Sequence, residues 1–143
     1  MFLQPDFDES SINPEIFNAV KSIRNSGIET IASNSGIGQI GNKNSWGSFI
    51  QIQLLLKDGL EIAEKINTFA QSLTPELQQE LDNPSLSLQL VSAEKWFKNH
   101  DTTSMKISNL PIYRLQLVGY SKDEEIRYVW NKVAQKFTPS VIE

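Results

Sequence analysis

The clearest alternation of apolar and polar positions runs through residues 46–82, WGSFIQIQLLLKDGLEIAEKINTFAQSLTPELQQELD. Ile50, Ile52, Leu54 and Leu56 fall on one face of an extended chain, and Phe49, Gln51, Gln53 and Leu55 on the other, because side chains alternate across a strand. The two glutamines mark the second face as at least partly wet. The period then lengthens. Ile62, Ile66, Phe69 and Leu73 recur at helical spacing, with Ala63 and Ala70 beside them. Asp58 is placed to cap this helix, and Glu61, three residues on, to bond back to the cap amide. The strand is therefore expected to end near Lys57 and the helix to start at Asp58. Thr74-Pro75 reads as a second cap and first-turn proline. The helix should kink or restart there, with Leu77 and Leu81 carrying the stripe onward.

The same reading extends to the rest of the chain. Residues 1–12 form an arm in which Phe2, Leu3 and Phe7 follow no period. Asn13-Pro14-Glu15 is a helix start: a capping asparagine, a first-turn proline and an acid near the positive end of the dipole. Ile16, Val20 and Ile23 give its stripe, with Phe17 beside it, and Gly27 ends it. Ile28 to Ala32 is a short strand, and residues 33–45, rich in turn formers, are expected to include a glycine-bearing hairpin. After the turn at Asn83-Pro84, Leu86, Leu88 and Leu90 alternate with polar residues as a half-buried strand. Residues 93–98 fit more than one conformation, and 99–110 are a polar loop. Ile112 to Tyr120 is a strand with Tyr113, Leu115 and Leu117 on one face and Arg114 and Gln116 on the other. Ser121 with Glu124 forms a capping box for a last helix striped by Ile126, Val129, Val133 and Phe137, with Trp130 beside it; Thr138-Pro139 stops it. The expected fold is α+β: residues 13–143 make one domain, a mostly antiparallel sheet of about four to five strands with helices packed on one face.

Composition narrows the chemistry. At 143 residues the chain can hold a core without staples. It has no cysteine, hence no disulfide, thiolate nucleophile or cysteine-based zinc site. The net charge of −4, with scattered basic residues, disfavours a nucleic-acid binder, whose affinity comes mostly from Lys and Arg on phosphates. No segment approaches the roughly 18 apolar residues of a membrane span. The first residues, MFLQPDFDESS, lack the basic and apolar regions of a signal peptide. A cytoplasmic protein, or a virion component if the source is a phage, is expected.

Two features resemble catalytic or ligand motifs. Gly36-Ile37-Gly38-Gln39-Ile40-Gly41 matches G-x-G-x-x-G, but it runs into a strand rather than a helix, so the amides and dipole that hold a pyrophosphate are missing. A hairpin or contact loop is the expected role, with no cofactor. His100 is the one histidine. It sits in the polar run Asn99-His100-Asp101 without the further histidines that a metal site of this type uses, and it reads as a loop residue. A small enzyme using His100 with nearby carboxylates is the alternative. The acids mostly stand at helix starts, where the dipole accounts for them. The late aromatics, Trp96 and Trp130 among them, fit core packing, a protein interface or the lining of a small-ligand site. Trp46 at a strand entrance is similar.

The run Ser48-Phe49-Ile50-Gln51-Ile52-Gln53-Leu54-Leu55-Leu56-Lys57-Asp58, leading into an alanine-bearing helix, resembles the central strand–helix unit of phage tail-terminator proteins. Tyr113-Arg114-Leu115-Gln116-Leu117 is similar to their last strand. The shared order of elements covers roughly residues 14–120; the short glycine loop and the C-terminal helix depart from it. The resemblance implies a ring-forming subunit that closes a tail tube without catalysis. Apart from it, the residues suggest a non-enzymatic subunit that binds other proteins, as a homo-oligomer or within a multi-protein assembly. Its expected contacts are Phe2, Leu3, Phe7, Gly36, Gly38, Gly41, Trp46, Trp96 and Trp130.

Overall fold

In the chain order that the periodicity predicts, helix α1 (Pro14–Asn25) is followed by strands β1 (Glu29–Asn34) and β2 (Ser48–Gln53). Helix α2 (Gly59–Leu81), strands β3 (Ser87–Ser92) and β4 (Ile112–Val118), and helix α3 (Asp123–Lys136) come next. A short 3-10 helix over Pro139–Ile142 follows. The structure is a computed structural model and describes residues 12–37, 47–54, 58–92, 112–119 and 121–143.

The four strands form one antiparallel sheet in the order β1-β2-β4-β3. Ile50 stands opposite Leu115, which in turn stands opposite Leu90. This register places Ile50, Ile52, Leu88 and Leu115 on one face, all at most 1% exposed. Against that face pack Ile16, Val20 and Ile23 of α1, Ile66, Ala70 and Leu77 of α2, and Val129, Trp130 and Val133 of α3. The three helices thus share one side of the sheet, and the class is α+β. Burying an aliphatic side chain of this kind stabilises by about 1.5–3 kcal/mol, so the stripes that define the helices in sequence also hold them to the sheet.

The second face is mixed. Gln51 and Arg114, cross-strand partners, are 9% and 2% exposed, and Phe49 and Ile112 beside them are also buried. The guanidinium of Arg114 lies over the Phe49 ring, its Cζ 3.7 Å from the centroid. Gln53 and Gln116 on the same face are half-buried and Gln89 is exposed, so the face is partly wet as expected, with Gln51 and Arg114 as its buried polar exceptions. Burial brings the Arg114 pKa down to about 10, which leaves it charged at neutral pH.

Both edge strands are held by helix side chains. On β1, Arg24 Nη1 donates to the carbonyl (3.2 Å) and hydroxyl (3.1 Å) of Thr30, and the Ser35 amide donates to Asn13 Oδ1 at 2.9 Å. A bulge between Thr30 and Ala32 breaks the β1 register. On β3, Thr74 Oγ1 accepts the Leu88 amide at 3.0 Å and lies 3.2 Å from the Leu88 carbonyl, while Gln78 Nε2 donates to the Leu86 carbonyl at 2.9 Å.

Four capping expectations are corrected. Asn13 precedes α1 as expected, but its side chain serves Ser35, just past β1, and not the helix. Thr74 does not restart α2, which runs unbroken through Pro75. The missing Pro75 amide costs one helical bond, while buried Leu73 and Leu77 keep the stripe continuous across it. Asp58 precedes α2 without a side-chain cap bond, and Glu61 faces Lys65 at 3.7 Å instead. The last helix starts one residue later than Ser121-Glu124 implies: Glu125 Oε1 accepts the Lys122 amide at 2.9 Å, and Ser121 is buried.

Candidate functional site

Trp130 belongs to the interior, not to a contact surface. It is 0% exposed, and its indole Nε1 donates to Ser48 Oγ at 2.6 Å, tying α3 to the start of β2. Its position in the stripe places it there: Ile126, Val129 and Val133 surround it on the face that meets the sheet. Gly36 is buried too. It has φ +74°, and a Cβ built there would stand 3.2 Å from the backbone of Gly47. It therefore forms the neck of the β1–β2 connection, where Asn34 Nδ2 also donates to the Gly47 carbonyl at 2.8 Å. Phe2, Leu3, Phe7, Gly38, Gly41, Trp46, Trp96 and His100 lie outside the described residues.

Among the described residues the exposed aromatic is Tyr128, 37% exposed on α3. Sequence reading counts it only as one of the late aromatics; the signal that separates it is its offset from the Ile126–Val129–Val133 stripe. Its hydroxyl donates to Glu80 Oε1 at 2.7 Å across the α2–α3 groove. Lys132, one helical turn further on, donates to Glu80 Oε2 at 3.2 Å, lies 3.6 Å from Glu76, and sits 5.8 Å from the Tyr128 ring centroid. Glu76 and Glu80 are one turn apart on α2, as Tyr128 and Lys132 are on α3, so each helix presents two adjacent partners to the other. The result is an aromatic side chain held in one orientation by a polar surround.

The electrostatics follow from these bonds. The hydrogen bond from Tyr128, then that from Lys132, holds the Glu80 carboxyl below the usual glutamate range. The same contacts raise the Tyr128 phenol and the Lys132 ammonium, in each case through Glu80 first. For an acid whose pKa is depressed on folding, the stabilisation is present above its unfolded pKa and is lost as pH falls through the folded value. A carbon-13 titration should show Glu80 ionising below an ordinary glutamate. Tyr128→Phe should move that midpoint upward. An unmoved midpoint would mean that the phenol bond does not form in solution.

Leu60, on the first turn of α2, is 70% exposed, and Ile31, at the β1 bulge, is 39% exposed. Among the described residues no group of three or more His, Asp or Glu side chains could hold a metal ion. Among them, too, no helix is long and apolar enough to cross a membrane. The chain matches no protein-family model, no curated protein and no solved structure.

Proposed function

We propose that this chain is a non-enzymatic subunit that works by binding other protein subunits in a larger assembly. The observation that carries the reading is Tyr128, a surface aromatic whose orientation is fixed by Glu80 and Lys132. Tyrosine is enriched among the residues that dominate binding energy at interfaces. A side chain already held in place loses little rotamer freedom on association. Leu60 and Ile31 add exposed apolar area elsewhere on the surface. The concrete form suggested by the resemblance at 48–58 and 113–117 is a ring subunit of a phage tail. Ser48–Gln53 of the first and 113–117 of the second lie side by side in β2 and β4, the inner strands of the described sheet.

The test is the solution mass of the full chain by sedimentation, alone and after recovery from its native source. A multiple of the 16.2 kDa chain mass, or a stable complex, is expected. Tyr128→Ala should weaken that association about tenfold or more while changing stability by about 1 kcal/mol or less, as befits an exposed position. A monomer at high concentration with no partner recovered would overturn the reading.

A further inference from the structure

We infer that Thr74 and Gln78 of α2 form an edge guard: they engage backbone groups of Leu88 in β3 and of Leu86 just before it, groups that would otherwise pair with a second copy of this chain. The inference does not depend on the assembly proposed above, since it concerns a contact that the native chain suppresses.

β3 is an end strand of the described sheet, with β4 as its neighbour. An end strand presents a row of backbone donors and acceptors that matches any other extended backbone. Proteins commonly blunt such a row with charge, proline or a bulge, and β1 has its bulge at Thr30–Ala32. β3 has none of these. Ser85 to Ser92, SLSLQLVS, contains no charged residue and no proline, and the β3–β4 register runs from Ser87 to Ser92 without a shift. Two copies of this strand could meet antiparallel with no like charges opposed, which makes a second copy the natural occupant.

What stands in the way is α2. Thr74 Oγ1 accepts from the amide of Leu88, while its own proton faces the Ala70 carbonyl at 2.9 Å and the Leu88 carbonyl at 3.2 Å, and Gln78 Nε2 donates to the carbonyl of Leu86. Thr74 and Gln78 are four residues apart, one turn of the helix. Leu86 and Leu88 are two apart, which turns their backbone groups the same way along a strand. The two spacings coincide, so the helix supplies side-chain partners where a neighbouring strand would supply main-chain ones. Gln78 Nε2 also reaches the Pro84 carbonyl at 3.2 Å, extending the guard to the turn before the strand.

The experiment compares the full chain with Thr74→Val/Gln78→Leu by sedimentation velocity over a hundredfold concentration range, with circular dichroism to verify folding. The double variant should gain concentration-dependent association beyond that of the native chain, with its apparent mass at least doubled at the top of the range. Adding Gln89→Lys, which places a charge on the exposed part of the same strand, should reverse the gain without restoring either hydrogen bond. Thr74→Ser, which keeps the hydroxyl, should behave as native. A folded double variant that sediments as the native chain does throughout would overturn the inference, as would a gain that Gln89→Lys leaves untouched. If the double variant does not fold, Gln78→Ala alone decides: it leaves Thr74 in place and should show a smaller gain, and no gain would overturn the inference. Because the comparison is with the native mass, a native monomer sinks the assembly reading and leaves this one standing.

Discussion

Trp130→Ala should lower the stability of the chain by about 3–5 kcal/mol, the range for removing a large buried aromatic. Two losses combine. The indole is fully buried between α3 and the sheet, so its removal forfeits the transfer free energy and leaves a cavity that Val129, Val133 and Leu115 close only partly. It also strands the Ser48 hydroxyl, itself buried, without its 2.6 Å donor. An unmet buried polar group costs about 1–3 kcal/mol. Trp130→Phe separates the two: it keeps most of the apolar volume and removes the N–H, so it should cost roughly 1–2 kcal/mol. Urea unfolding should show both as shifts in midpoint at constant slope. A loss under about 1 kcal/mol for Trp130→Ala would contradict the placement of α3 on the sheet.

Gly119→Ala should be comparably damaging, by about 3 kcal/mol or more, although it adds only a methyl group. Gly119 follows β4 with φ +98°, a conformation that costs side-chain-bearing residues about 1–3 kcal/mol. The added Cβ would also be driven into the Ser85 carbonyl oxygen and meet Leu86 Cα at 3.2 Å. Both obstacles are backbone at the entrance to β3 and cannot rotate away. Gly27→Ala is the control. That residue has φ +92°, but no atom lies within 4 Å of its built Cβ, so it should carry the conformational cost alone, about 1 kcal/mol. Equal losses at the two positions would show that the close approach of Ser85 to Gly119 is absent in solution.

The helices were legible because their stripes are long and the core selects for them. Ile16–Ile23, Ile62–Leu77 and Ile126–Phe137 are buried as their spacing implies. The alternation in β3 and β4 likewise assigned Leu88 and Leu115 to the inner face. What periodicity does not carry is the destination of polar side chains. Asn13, Thr74 and Gln78 have the residue types of caps and helix surfaces, but each bonds to a strand, or to the residue flanking one, brought near only by the fold. Alternation places Gln51 and Arg114 on the partly wet face, but it does not show that these two are buried there, paired with each other and with Arg114 over Phe49. Trp130 and Tyr128 show the same limit at the candidate surface. They are two positions apart on one helix, and the more apolar one is interior while the other reaches water. The Glu80–Tyr128–Lys132 cluster joins residues about fifty positions apart, and no local spacing announces it.

The way the first helix is secured has a consequence for biosynthesis. Ser22 of α1 donates to the Ala134 carbonyl at 2.8 Å, a partner 112 residues away, and Ser48 of β2 waits for Trp130, 82 residues away. β2, moreover, lies between β1 and a strand made much later. At roughly 5–20 residues per second, a ribosome needs about 4–16 s to bring Trp130 into being after Ser48. Throughout that interval the part of α1 that packs on α3 lacks its cover. A nascent chain that ends before α3 should therefore expose apolar surface of α1 that the complete fold covers.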